Sequence, residues 1–288
     1  MAPTKIRAVA TSLVLIGAAS LSAIAATAPA QADDAATAPV AVSISKKRVV
    51  TLPATIQPGV SQFHITTAAK ESGFQVALPA AGYTIEQAVN DIDKGLDQGK
   101  IKPLKRFEAN VTLLGGATAT PDVPGTLWVT LAPGAYWAVD INANKAEAFT
   151  PFTVAGLDTG NVMPASAKVK AVDSTKWSKK PKSIPNKGLL TFQNSADQNH
   201  FLDMVKLKKG KTLQDFEDWF LTEGQPAGPP PVDFSKFLTS GVVSPGHSET
   251  FNYKLPKGNY IMLCFWPDAS MGGMPHAFMG MYREIKLK

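Results

Sequence analysis

Two stretches of this chain, about 125 residues apart, carry the same features in the same order, and a chain that repeats itself at such an interval is expected to fold as two related units. Gly82-Tyr83-Thr84-Ile85 and Gly210-Lys211-Thr212-Leu213 are offset by 128 positions. In each, a threonine suited to capping a helix is followed three residues later by Gln87 or Asp215, which can return the bond. Apolar residues then fall at helical spacing, as Ile85, Val89, Ile92 and Leu96 in the first copy and Leu213, Phe216 and Phe220 in the second. Each copy is therefore expected to carry one short amphipathic helix.

A second match is offset by 124 positions: Leu127, Val129 and Leu131 lead into Pro133-Gly134-Ala135-Tyr136, and Phe251, Tyr253 and Leu255 lead into Lys257-Gly258-Asn259-Tyr260. Alternation with period two on both sides of a glycine turn describes strand, turn, strand. The run Ile261 to Trp266 is apolar at every position, as expected of a strand buried on both faces. Further strands are expected at Val40 to Ile44, Val49 to Ile56, Gln62 to Thr66, Phe74 to Leu78 and Ala109 to Leu114. The second copy offers Lys168 to Val172, Leu189 to Gln193, Leu202 to Leu207 and Gly241 to Val243. Short strands at this density predict an all-β chain of two tandem β-sandwich domains, residues 33–155 and 166–288, joined by a linker at 156–165.

The N-terminus decides the compartment. Lys5 and Arg7 precede a small-residue apolar run ending in Ala30-Gln31-Ala32, the pattern of a secretory signal peptide over residues 1–32. Export is thus expected, to a secreted or extracellular location, with no membrane span left once the signal is removed. Removal takes Lys5 and Arg7 with it, so the formal charge falls from +6 to +4, an excess that mainly aids solubility. Nucleic acid is a poor partner for such a chain. The single cysteine, Cys264, excludes an intramolecular disulfide and leaves a lone thiol in an oxidising compartment.

Candidate ligands are few: four histidines, one cysteine and a concentration of methionines near the C-terminus. His200 opens a strand, Cys264 closes another, and His276 and Met281 lie before the last strand, Tyr282 to Leu287. His, then Cys, His and Met, is the order required by a His2Cys site with a weak axial methionine, whose thiolate and imidazoles suit copper. At these residues the chain resembles the cupredoxins, the blue-copper family, over about residues 166–288 and more faintly over the first copy. The resemblance implies Greek-key sandwiches, with His200, Cys264 and His276 as equatorial copper ligands and Met281, or in its place Met279, as axial ligand. It implies electron transfer or copper handling with a redox partner, and no catalysis by the protein itself. The family places two residues between Cys and His, whereas here eleven intervene, Phe265 to Pro275, so this loop must fold back. Pro267 and Gly272-Gly273 could turn it.

The first copy lacks these ligands: alignment sets Asp140 opposite Cys264 and Glu71 opposite His200. A plain alternative stands beside the copper reading, a metal-free binding or structural module of the cell envelope in which Cys264 is a small buried hydrophobe. A thioether site for Cu(I) built from Met271, Met274, Met279 and Met281 is a further option. His64 and His247 read as ordinary strand and turn residues. The lysines of Lys179 to Lys182 and Lys206 to Lys211 read as solvated charge or as a surface for anionic envelope components. No sequence signature of a hydrolase, metalloprotease or nucleotide-binding enzyme is present.

Overall fold

Pro53 and Pro58 break up the N-terminal apolar stretch, since proline cannot donate to a strand ladder. The computed structural model describes residues 38–143, 145–222 and 228–288, so the export signal read at residues 1–32 lies outside the described residues. In the first half the strands are β1 Val40–Ile44, β2 Val50–Thr51, β3 Thr55–Ile56, β4 Gly59–Thr67, β5 Ser72–Pro79, β6 Val111–Ala119, β7 Gly125–Leu131, β8 Gly134–Asp140 and β9 Phe149–Val154. The second half has β10 Ala167–Asp173, β11 Lys176–Trp177, β12 Ser183–Ile184, β13 Lys187–Asn194, β14 Asp203–Leu207, β15 Val232–Thr239, β16 Ser248–Lys254, β17 Gly258–Leu263, β18 Pro267–Asp268, β19 Met274–Pro275 and β20 Tyr282–Leu287. The all-β sandwich class read from the sequence is what these strands build.

Each half contributes one five-stranded sheet, ordered β3-β9-β8-β5-β6 and β12-β20-β17-β14-β15. Position by position the two orders match. The facing layer is shared: a single eight-stranded sheet runs β11-β10-β13-β16-β7-β4-β1-β2 through both halves, joined where β16 pairs antiparallel with β7. The expected strand from Val49 to Ile56 is divided, β2 entering the shared sheet and β3 the other.

The described residues belong to one compact unit, and polar groups stitch the two halves. Gln75 donates to the Val242 carbonyl at 3.0 Å and accepts from its N–H at 2.9 Å. The Ser244 hydroxyl accepts from the Leu113 N–H at 2.8 Å, and Glu249 Oε2 accepts from the Gly116 N–H at 2.6 Å. Backbones meet so closely that a Cβ on Gly241 would lie 1.9 Å from Gly116 N, which only glycine avoids.

Both capping boxes form. Thr84 and Gln87 start α1, Ile85–Ile92, and Thr212 and Asp215 start α3, Leu213–Phe220. The expectation of one helix per half holds for the second half only. In the first, α1 runs into a five-residue π-helical segment, Asp93–Asp97, and then α2, Ile101–Asn110. Leu104 and Phe107 bury the apolar side of α2, a spacing of three that falls between expected elements in the sequence. Gly241 to Val243 makes only isolated bridges through Val243, while β15 begins directly after Pro229-Pro230-Pro231.

The run around β17 is buried on both faces from Tyr260 to Cys264 and again at Trp266, but Phe265 is 38% exposed, so the expected burial at every position from Ile261 to Trp266 fails there. Tyr260, Met262, Cys264 and Trp266 face the large core between the layers. Ile261 and Leu263 face a second cluster with Phe216 of α3. Alternation therefore sends Cys264 inward, between the sheets.

Candidate metal centre

The glycine-tyrosine turns place the centre. Tyr136 donates to the Ala132 carbonyl at 2.8 Å, and Tyr260 to the Pro256 carbonyl at 2.7 Å, so each turn is pinned by a tyrosine reaching back four residues. From the second of these, β17 delivers Cys264 to the far end of the sandwich. His200 precedes β14, the neighbour of β17, and is held by two backbone bonds with Val243, 3.1 Å and 2.7 Å long.

The eleven-residue loop does fold back. Pro267 pairs with Pro275 and Asp268 with Met274 in a two-strand hairpin, and Gly272 and Gly273 both take positive φ, 71° and 83°, at its turn. The Asp268 carboxylate accepts from the Ser270 and Met271 N–H groups at 2.7 Å and 3.2 Å, stiffening that turn. His276 then donates its N–H to the Trp266 carbonyl at 3.0 Å, and Ala277 to the Cys264 carbonyl at 2.7 Å.

One donor atom from each of His200, Cys264 and His276 lies within 4.8 Å of the other two, and all three residues are buried. His276 Nδ1 is 3.1 Å from His200 Nδ1 and 3.8 Å from Cys264 Sγ. With metal–nitrogen bonds of about 2.0–2.1 Å and a metal–sulfur bond of about 2.3 Å, an ion within these atoms requires separations of about 3.1 Å and 3.8 Å at bond angles near 100° and 120°. Both separations from His276 suit a single shared ion.

At His276 the proton distribution fits as well. Gln198 Nε2 donates to Asp268 Oδ2 at 3.1 Å, which turns its Oε1 toward His276 Nε2 at 2.7 Å. His276 Nε2 therefore carries the hydrogen, and Nδ1 presents a bare lone pair inward. Burial pushes His276 down to about 4, against the pull of Asp268 and Asp197. Burial, helped by His276, pushes His200 down to about 3. Both rings are neutral at neutral pH, the state in which imidazole ligates. Burial pushes the Cys264 thiol up to about 12, opposed by N–H groups of Phe201 and Trp266 that favour the thiolate. His200 Nε2 is buried without a hydrogen-bond partner.

Met281 is fully buried, and its N–H donates to the His276 carbonyl at 3.0 Å. Met279 is partly exposed, while Met271 and Met274 are 55% and 47% exposed, so the methionines do not form one buried thioether set. His64 is exposed on β4 and His247 half-buried in a turn; neither joins the cluster.

The first half differs at the matching place. Asp140 faces Phe74 across the ladder, and Leu263, just before Cys264, faces Asp203, so the counterpart of His200 is Ser72 and not Glu71. Buried Asp140 meets the Arg48 guanidinium at 3.1 Å and accepts from the Gly73 N–H at 3.1 Å. Glu71 offers Arg48 only its backbone carbonyl.

Sequence reading alone missed Gln198, Asp268 and Glu108. The last lies on α2, in the first half, and its Oε1 accepts from Trp266 Nε1 at 2.7 Å. The same tryptophan donates its N–H to Cys264 Sγ at 3.5 Å and takes the His276 N–H on its carbonyl. Glu108→Ala is expected to cost about 1–2 kcal/mol in urea unfolding, the cost of a lost partner for a part-buried indole N–H. It should also speed amide exchange at His276 and Ala277. Unchanged exchange there would show that α2 does not hold the loop.

No family model matches the sequence, and no curated protein matches it. Among solved structures, similarity extends to the dithionite-reduced auracyanin of the photosynthetic bacterium Roseiflexus castenholzii, 21% identical, covering 43% of this chain and 96% of that one at a TM-score of 0.27. Auracyanin A, a "blue" copper protein from the green thermophilic bacterium Chloroflexus aurantiacus, is 15% identical, with 44% and 100% covered and a TM-score of 0.27. A multi-copper oxidase from Pediococcus acidilactici is 9% identical, with 87% of this chain and 58% of that one covered and a TM-score of 0.22. Scores this low assign no function; the donor set itself carries the chemistry.

Proposed function

We propose that this protein binds one copper ion through His200 Nδ1, His276 Nδ1 and Cys264 Sγ, with Met281 as a weak axial ligand, and works as an exported electron carrier or copper-handling protein. The observation that carries this reading is the convergence of two neutral imidazole nitrogens and the only thiol at separations suited to a single ion. Copper bound there supplies a reversible one-electron couple. The chain's own part is to hold the donors in place: Gln198 and Asp268 orient His276, the Phe201 and Trp266 N–H groups stabilise negative charge on sulfur, and burial excludes water.

Electron carriage is favoured over oxidase chemistry because the whole chain has four histidines. Only His64 and His247 remain outside the cluster, and with no second cysteine in the sequence a second centre of this type has no thiolate to build on. Export follows from the N-terminal pattern, and no helix among the described residues is long and apolar enough to cross a membrane. We also read the two halves as copies of one sandwich, on the strength of their matched strand orders, capping boxes and tyrosine-pinned turns. In the first, the Arg48–Asp140 ion pair stands where the second has its ligands.

The test is the absorption spectrum of protein loaded with Cu(II). An intense visible thiolate band, one copper retained per chain, and loss of the band in Cys264→Ala are expected. A colourless protein that retains no copper would leave the envelope-module reading in its place; tight retention of Zn(II) alone would make the centre structural.

A further inference from the structure

The lysines between Lys206 and Lys211 lie at the opposite end of the second half from the metal centre. There β14 runs out and β17 begins. Lys206, Lys208, Lys209, Lys211, Lys236 and Lys286 line one cleft of about 620 Å³, with Asp233 as its single acidic group. Lys211 has a partner outside the cleft, Asp215 at 2.8 Å. Lys208 and Lys236 both act on Asp233, whose carboxyl is held below its ordinary value chiefly by Ser235. The balance around one concavity is strongly positive, and like charges gathered this way repel one another unless an anion lies among them.

The fold does not require these lysines. At the matching end of the first half, β5 runs out through Leu78-Pro79-Ala80-Ala81-Gly82-Tyr83, a stretch with no charged residue. Where Asn259 pairs with Lys286 in the second half, Ala135 pairs with Thr153 in the first. Equivalent strands and an equivalent turn form without a single cation.

We propose that this cleft binds a multivalent phosphate-bearing anion. Its volume lies in the range of small-molecule sites, roughly 300–1,000 Å³. Lysines without arginine offer point charges and not planar forks, which suits several tetrahedral phosphate groups. The lining has no aromatic side chain on which a base could stack, which disfavours nucleic acid. The inference is independent of the copper reading. The six residues of β17 separate the cleft from Cys264 by about 20 Å at a strand's rise of about 3.3 Å per residue.

The experiment titrates the protein with tripolyphosphate and, separately, with vesicles carrying a phosphomonoester lipid headgroup. It compares wild type with Lys206→Glu/Lys208→Glu/Lys286→Glu and with a control at exposed lysines outside both lysine runs, Lys46→Glu/Lys47→Glu/Lys70→Glu, that changes net charge equally elsewhere. Saturable binding weakened about tenfold or more in the cleft variant, and little in the control, is the expected result, the combined effect of three ion pairs. Whichever arm shows this loss identifies the source as a free anion or a membrane surface. Equal weakening in both variants would reduce the effect to net charge and overturn the proposal, as would absence of binding in both arms. Circular dichroism melting of the variants confirms that folding is intact, and Lys→Gln versions at the same cleft positions serve if charge reversal unfolds the chain.

Discussion

Copper affinity is expected to rise about tenfold for each unit of pH between about 5 and 9, a gain of about ten-thousandfold, measured by competition with a chelator of known pH behaviour. Ligands bind metal deprotonated. The Cys264 thiol, pushed up to about 12, still holds its proton throughout this range. His276 at about 4 and His200 at about 3 have already lost theirs. Loading therefore displaces one proton, from sulfur, and the logarithm of the apparent constant climbs by one per unit. Below pH 4 the imidazoles add their own protons, and the slope steepens. Calorimetry in buffers of different ionisation enthalpy should return one proton released per ion at pH 7. Cys264→Ser, with no ionisable thiol, should bind weakly and with little pH dependence. A flat profile for the wild type would mean that sulfur is not a ligand. A slope of two near pH 6 would mean that the histidines titrate as exposed ones do.

How far the sequence anticipates this arrangement differs from residue to residue. Thr84, Thr212 and the two Gly-x-Tyr turns are legible because their chemistry is local: a hydroxyl reaches three residues along a helix, and a tyrosine reaches four residues back. His200, Cys264 and His276 are legible as candidates because few side chains bind soft metals. What spacing along the chain leaves open is whether eleven residues can bring His276 back to Cys264. Glycines at 272 and 273 permit the turn, and the Asp268 carboxylate then fixes it through nearby backbone N–H groups. Gln198 and Glu108 have no local signature. Gln198 matters only because Asp268 takes its amide nitrogen, and Glu108 only because α2 of the other half packs beneath the loop. Contacts across that distance depend on the shared sheet, which period-two alternation cannot reveal, since pairing β7 with β16 leaves each strand's own pattern unchanged.

Glu249 shows what the seam between the halves costs, and Glu249→Gln is expected to stabilise the metal-free protein at pH 8 by roughly 4–5 kcal/mol while changing it little at pH 4.5. The carboxyl lies fully buried against β6, where a Cβ on Gly115 would come within 2.5 Å of its own Cβ, and Oε2 accepts from the Gly116 N–H. Burial raises its pKa to about 8, against the hydrogen bond from Gly116. A raised carboxyl pKa makes stability fully present below the unfolded value near 4.5, where both states are protonated. It is then lost as pH rises toward 8, because the unfolded chain ionises freely and the folded one does not. Glutamine copies the neutral acid and keeps an oxygen for Gly116, so it removes this loss. The variant still retains the part due to Asp203, which burial raises to about 7. The buried histidines act with opposite sign: depressed to about 3 and 4, they cost stability as pH falls below about 6.5. Urea unfolding at pH 4.5, 6 and 8 separates these contributions. Wild-type and Glu249→Gln curves that stay parallel across that range would show Glu249 to be ionised in the folded chain, and the seam would then have to supply a counter-charge that its neighbours Gly115, Gly116 and Gly241 do not carry.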